Sequence, residues 1–231
     1  MSIATALSDV RARLHAAALA AGRAPSSVKL IAVSKTHPAA AVREAYAEGQ
    51  RDFGENYVQE LLQKAEELRD LAELRWHLIG HLQRNKARHV VSLVSLLHTV
   101  DTAELALELA KRFEGAVTGR RLPVLVEVSI AGEQQKHGAA PADLAELLAA
   151  IEAMPALELR GLMCVPPLTD DPAGALPFFQ QLSGLRELHG GAQRLPELSM
   201  GMTHDMDQAV SAGATLVRVG TAIFGTRPQK A

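Results

Sequence analysis

The feature that most constrains this chain is a regular alternation of short β-rich runs with longer amphipathic stretches. The runs are Val28–Ser34, Asp52–Gly54, Arg75–Ile79, Leu96–Val100, Leu122–Ile130, Leu157–Cys164, Glu197–Ser199 and Thr215–Val219. Between them lie Ala39–Glu48, Asn56–Leu71, Arg84–Val91, Thr102–Phe113, Pro141–Ala153, Pro172–Leu188 and His204–Ala212, with helix stops at Gly49, Gly115, Pro155 and Gly213. Strands separated by crossover helices pair in parallel. Eight such units suit a closed (β/α)8 TIM barrel better than an open doubly wound sheet. Asp52–Gly54 and Glu197–Ser199 are the weakest elements, because three residues barely make a strand and losing either would reopen the sheet. Apolar residues at helical spacing from about Ile3 to Leu19, stopped by Gly22 and Pro25, predict an extra N-terminal helix. No linker, low-complexity segment or repeat period interrupts the pattern. The expectation is one domain over 1–231, with a leading helix in 1–22 and the barrel in 28–225.

Composition narrows the partner. The 231 residues carry 24 basic and 26 acidic side chains for a net charge of −2, dispersed along the chain, which argues against nucleic acid or a membrane surface and for a small molecule. One cysteine, Cys164, rules out an internal disulfide framework. The N-terminus has no uninterrupted apolar signal core, and even Val90–Val100 is broken by Ser92, Ser95 and His98. A cytoplasmic protein is expected.

In a barrel the active face is built by the residues that follow the strands. Here these are Lys35, then Glu55-Asn56-Tyr57, Gly80-His81, Asp101, Gly161-Leu162-Met163, Ser199 to Thr203, and Arg218 to Thr221. Lys35 has two readings. It is a solvated strand cap, the commoner fate of such a lysine, or it is an amine at a cavity mouth with a lowered pKa, able to attack a carbonyl. Gly201, Thr203, Gly220 and Thr221 have the composition of an anion cradle, and they follow the seventh and eighth strands, where barrels most often bind phosphate. Arg218 alternates with Val217 and Val219, so it points opposite to them, into the mouth. A reactive lysine, a phosphate cradle and an inward arginine together specify an aldehyde with a phosphate and a polar ring. Pyridoxal 5′-phosphate meets all three requirements, and a phosphosugar meets two.

Six stretches in order then carry a resemblance: Ala32-Val-Ser-Lys-Thr36, Phe53-Gly-Glu-Asn-Tyr-Val-Gln-Glu60, Trp76-His-Leu-Ile-Gly-His-Leu-Gln-Arg-Asn-Lys86, Arg160-Gly-Leu-Met163, Leu198-Ser-Met-Gly-Met202 and Val217-Arg-Val-Gly-Thr-Ala-Ile-Phe-Gly225. Over essentially its whole length the chain resembles the pyridoxal-phosphate homeostasis proteins. The resemblance implies a single barrel similar to the N-terminal domain of alanine racemase, with the cofactor held as a Schiff base on Lys35. It also implies Arg218 at the pyridine nitrogen, Thr203, Gly220 and Thr221 at the phosphate, and Asn56, Met163 and Ser199 lining the cofactor. Thr203 and Ser129 stand where the family commonly has serine and asparagine; the first change keeps the hydroxyl, and the second leaves Ser129 without an assigned role. The implied function is storage or delivery of the cofactor for vitamin B6 homeostasis, by a monomer whose recipients are apo forms of pyridoxal-phosphate enzymes. The alternative is an amino-acid racemase of the same fold type. An arginine facing the ring nitrogen weakens the ring as an electron sink. Racemisation also needs an acid/base on the opposite face, which alanine racemases take from a second domain that this chain is expected to lack.

Other residues are read more plainly. His77 and His81 are four apart but straddle Gly80 and a strand end, so no metal site is expected; His77 belongs inside the barrel and His81 at the mouth. Arg84 to His89 reads as a solvated helix face. Cys164 reads as a buried filler, Lys136 as a solvated loop lysine, and Tyr57 as a packed residue at a helix start.

Overall fold

The computed structural model describes residues 2–114, 119–132 and 137–226. Eight parallel strands close into a barrel in the order β1 to β8: Lys29–Val33, Asp52–Glu55, Arg75–Leu78, Val94–Val100, Leu122–Glu127, Leu157–Met163, Glu197–Ser199 and Leu216–Val219. The described helices are α1 (Ile3–Ala20), α2 (Ala39–Ala47), α3 (Val58–Glu67), α4 (Ala87–Val90), α5 (Ala103–Glu114), α6 (Leu144–Glu152), α7 (Leu176–Leu188), α8 (Gly191–Arg194), α9 (Met206–Ser211) and α10 (Thr221–Phe224). The expected fold class therefore stands. Both short runs are strands: β2 gains Glu55, and β7 keeps its three residues by pairing with β6 over its whole length.

Where boundaries differ, the causes are local. β5 ends at Glu127 rather than Ile130, because Val128 makes only an isolated bridge to Ala139 and the chain then turns. Helix α3 starts at Val58, with Tyr57 as its N-cap. Arg84–Lys86 and Pro172–Ala175 are 3-10 turns ahead of α4 and α7, and α6 begins only at Leu144. The turn α8 had no sequence counterpart.

Two apolar layers hold the barrel. Outside it, strands and helices share one continuous core that includes Leu7, Val10 and Leu14 of α1 with Val42, Leu61, Leu109, Leu148 and Phe179. Inside, Ile31, Leu96, Leu125, Met163 and Leu216 form a separate cluster. Strand alternation then turns His77, His98, Ser199 and Arg218 inward as well, all buried. The leading helix packs on α9 and α10, and Arg13 fixes it by donating to the Asp207 carboxylate at 3.0 Å and to the Thr203 carbonyl at 2.8 Å. It thus braces the loop after β7.

Gly161 adopts φ +149°, and a Cβ there would overlap the Glu197 backbone of the adjoining strand. Relief would require the β6–β7 pair to separate. Gly161→Ala is therefore expected to lower stability by about 3 kcal/mol or more, read as a shift in the urea midpoint at unchanged slope.

Candidate functional site

The chain leaves β1 through Ser34-Lys35-Thr36-His37, closed by the His37 N–H on the Ser34 carbonyl at 3.1 Å. Thr36 has φ +67°, a left-handed conformation costly for a β-branched residue. A buried ionic clamp holds it there. The Lys64 ammonium of α3 donates to the Ser34 carbonyl (2.6 Å), Glu55 Oε1 (2.6 Å) and Glu60 Oε1 (2.7 Å). Ser34 Oγ donates to Glu55 at 2.6 Å, and Glu60 accepts the Thr36 N–H at 2.5 Å. The backbone on both sides of Lys35 is thereby fixed from α3, while Lys35 itself is half-buried.

On the other side of the closure, β8 pairs with β1 so that Ile31 lies opposite Arg218. Beyond Arg218, a Cβ on Gly220 would come to 3.0 Å from the Val33 carbonyl, so the absence of a side chain lets this loop lie close against β1. In the loop after β7, Gly201 has φ +90° with Ala209 where a Cβ would go, and the Met202 N–H donates to Asp205 at 2.6 Å. Thr203 and Gly220 are half-buried and Thr221 is exposed, at the rim of the barrel.

Arg218 is 4% exposed and doubly anchored: Nη1 donates to Ser199 Oγ at 2.6 Å and Nη2 to the Cys164 carbonyl at 2.9 Å. Burial lowers its pKa, partly offset by Cys164, Glu127 and Asp205, and a guanidinium remains charged nonetheless. Behind Ser199 a line of polar groups runs through the barrel interior. Ser199 Oγ meets His98 Nδ1 at 2.9 Å, His98 Nε2 meets His77 Nδ1 at 2.9 Å, and His77 Nε2 meets Asp52 Oδ1 at 3.0 Å. Asp52 lies at the opposite end of the barrel, bound by Arg75 through Nε (2.9 Å) and Nη2 (2.7 Å), with Lys29 at 4.0 Å. Burial acts to raise the Asp52 pKa, but Arg75, His77 and Lys29 overcome it and hold the carboxyl well below the carboxylate range. Burial lowers both His77 and His98, so these rings are neutral at pH 7.

A cavity of about 290 Å³ opens at the β2–β5 side of the mouth, lined by Asn56, Gly80, His81, Glu127, Ser129 and His137 among others. Asn56 Oδ1, Glu127 Oε2 and Thr36 Oγ1 are buried without a partner among the described residues, which marks them for a ligand or solvent. Burial, with a contribution from Asp101, pushes Glu127 up to about 7 against the pull of Arg218. Burial likewise pushes the Cys164 thiol up to about 12, so it is inert and serves through its carbonyl. His81, Asp101 and His137 bring ligand atoms within 4.8 Å of one another. The two rings, however, are stacked 3.5 Å apart at 7°, and an ion at about 2 Å from both nitrogens cannot lie in both ring planes.

Every residue expected at the site lies at the C-terminal end of the barrel, on the strand or following loop assigned from sequence. Ser199 and Arg218 touch directly, and Met163 is fully buried at the end of β6. His77 is interior, as expected, and is bonded to Asp52 and His98. Tyr57 caps α3 yet is 56% exposed, against the expectation that it packs. Ser129 lines the cavity; Lys136 lies outside the described residues. Sequence reading missed Lys64, Glu60, His98 and Glu127. Their signal was charged or polar residues at apolar-phase positions of α3, β4 and β5.

The alanine racemase N-terminal domain family matches residues 8–228. A pyridoxal phosphate homeostasis protein of Pseudomonas aeruginosa is 46% identical over 227 residues, covering 98% of this chain and 96% of the relative. The chain belongs to the pyridoxal phosphate homeostasis protein family. The solved structure of PipY from Synechococcus elongatus with PLP bound is 42% identical, with a TM-score of 0.82 over 97% of this chain and all of that one. Alanine racemase of Corynebacterium glutamicum shares the fold at a TM-score of 0.66 and 16% identity, with 61% of its length covered.

The Glu127 shift has a sign that can be tested. An unfolded glutamate ionises near its ordinary 4.5, whereas folded Glu127 holds its proton to about 7, so its contribution to stability falls as pH rises between those values. Glu127→Gln should raise stability at pH 8 by up to about 3 kcal/mol and change little at pH 4.5, measured by urea unfolding at both pH values.

Proposed function

We propose that this chain binds pyridoxal 5′-phosphate at the barrel mouth, attached through Lys35, and serves cofactor homeostasis by storing or delivering it without catalysis of its own. The observation that carries the reading is the closure of the barrel. It sets the turn bearing Lys35 and the strand bearing Arg218 on paired neighbours, with Gly220 against β1. Pyridoxal 5′-phosphate, when bound, supplies an aldehyde that condenses with a primary amine and a ring that draws electrons from it.

The residues present fit that group. Lys35 supplies the amine, from a turn whose backbone Lys64 and Glu60 keep from rotating away. Arg218, held on Ser199 and Cys164, presents a permanent cation to the ring nitrogen and keeps a proton off it. Thr203, Gly220 and Thr221 offer hydroxyl and backbone N–H donors to the phosphate. Asn56, with an unpartnered Oδ1, and Met163 and Ser199 line the ring.

Two observations support a carrier over a catalyst. An arginine at the ring nitrogen disfavours carbanion chemistry. Of the two tyrosines, Tyr46 packs beneath the Arg51 guanidinium at 4.0 Å and Tyr57 is exposed at the head of α3, so neither is held in the site as an acid/base. The recipients in this reading are apo forms of pyridoxal-phosphate enzymes, and the protein acts as a cytoplasmic monomer. No described helix is long and apolar enough to cross a membrane. One observation favours the racemase alternative: Glu127, poised near neutral pH in the cavity beside Asn56, is an available proton carrier.

The test is the visible absorption of purified protein with pyridoxal 5′-phosphate, followed by borohydride reduction and peptide mapping. The expected result is a reducible band mapped to Lys35 and abolished by Lys35→Ala. Label spread over surface lysines would overturn the site. Exchange of the α-proton of an amino acid at enzymatic rates, lost in Lys35→Ala and Glu127→Gln, would replace the carrier by the racemase.

A further inference from the structure

The polar line behind Arg218 admits one proton arrangement. Arg218 can only donate, so Ser199 Oγ accepts from it and must send its own proton elsewhere. The partner in reach is His98 Nδ1 at 2.9 Å, which must then be unprotonated. His98 consequently carries its proton on Nε2 and donates it to His77 Nδ1 at 2.9 Å. His77, accepting at Nδ1, carries its proton on Nε2 and donates to Asp52 Oδ1 at 3.0 Å. Asp52 is ionised and held by Arg75 and Lys29. All five members are at least 95% buried, so a break in the line would strand a donor or acceptor without water. A proton added to either ring would turn an acceptor into a donor and set a second buried cation in line with Arg218.

We infer that Asp52, His77 and His98 are positioning residues for Arg218, forming a directional hydrogen-bond chain that spans the barrel from its N-terminal end to the cofactor face. The chain draws the Ser199 proton away from Arg218 and presents the guanidinium with an oxygen polarised by the Asp52 charge. The guanidinium plane is thereby fixed from behind by Ser199 and from the side by the Cys164 carbonyl, with its remaining N–H groups left for the ring nitrogen. A carboxylate at the far end of the barrel thus governs how the site receives the pyridine ring. This extends the binding of pyridoxal 5′-phosphate proposed above and rests on it for the ligand, whereas the proton arrangement belongs to the protein alone.

The two parts are tested separately. In ligand-free protein at pH 7, long-range 1H–15N NMR of the imidazoles should find His77 and His98 both as neutral Nε2–H tautomers, remaining so at pH 5.5. An Nδ1–H tautomer or a charged ring at either position would overturn the chain. With pyridoxal 5′-phosphate, His98→Phe should weaken binding about tenfold and shift the visible band and its pH profile, while borohydride still maps to Lys35. His98→Gln, which can donate and accept, should recover most of the affinity and the band. Asp52→Asn, which keeps the shape and removes the charge, should shift the band in the same direction as His98→Phe. Thermal unfolding in parallel separates loss of fold, because a variant that is merely destabilised binds with the wild-type spectrum. An unchanged band and affinity in folded His98→Phe and Asp52→Asn would overturn the positioning role. Failure of wild-type protein to form a Lys35 adduct, with the tautomers as stated, would instead overturn the ligand reading.

Discussion

The pairing of β8 with β1, in which Lys29, Leu30, Ile31 and Ala32 meet Leu216, Val217, Arg218 and Val219, is the contact on which the site depends. These strands are separated by nearly the whole chain, so no local propensity brings them together. Their register sets the turn of Lys35 beside the loop of Gly220 and Thr221. A Cβ at Gly220 would crowd the Val33 carbonyl at 3.0 Å. The helix α1 reinforces the same seam from outside: it packs against α9 and α10 and ties the loop after β7 through Arg13. A long-range pairing of this kind is expensive to nucleate and is retained because it lets both apolar layers close at once.

Within that frame, charge is buried in two places and used differently. The Lys64 clamp brings one ammonium together with two carboxylates and fixes the backbone around a strained threonine. Buried ion pairs add little net stability, since desolvation offsets most of the attraction, but they define geometry sharply. The clamp therefore reads as a device for aiming Lys35. The second set, Asp52 to Arg218, keeps its charges at the two ends and fills the space between them with neutral imidazoles and a hydroxyl. Neutral linkers allow a cation to reside in the barrel without a carboxylate directly beside it, the partner that would favour protonation of a bound pyridine.

In the proposed reading, this arrangement holds a reactive cofactor and restrains its chemistry. The turn bearing Lys35 follows β1 and Arg218 lies on its paired strand β8, with the backbone of that turn held by Lys64 and Glu60 and the guanidinium by Ser199 and the Cys164 carbonyl. The cavity with Glu127 and Asn56 adds room and a titratable carboxyl alongside them. Alanine racemase of Corynebacterium glutamicum shares the fold over 61% of its chain, and a fold by itself does not fix a chemistry.

The amino-acid pattern by itself determined the strand–helix alternation, the closed barrel and the mouth positions of Lys35, Asn56, Met163, Ser199, Thr203, Arg218, Gly220 and Thr221, because periodicity and turn residues act over a few positions. It carried Arg218 inward through its alternation with two valines. It did not reveal that Lys64 of α3 grips the turn after β1, that Glu127 is pushed up by burial and Asp101, or that His77 and His98 form a line between Asp52 and Ser199. Those facts were decided by the tertiary structure. Hydrogen bonds between residues 21 to 101 positions apart depend on strand register and on exclusion of water, and neither is written in any local stretch of chain.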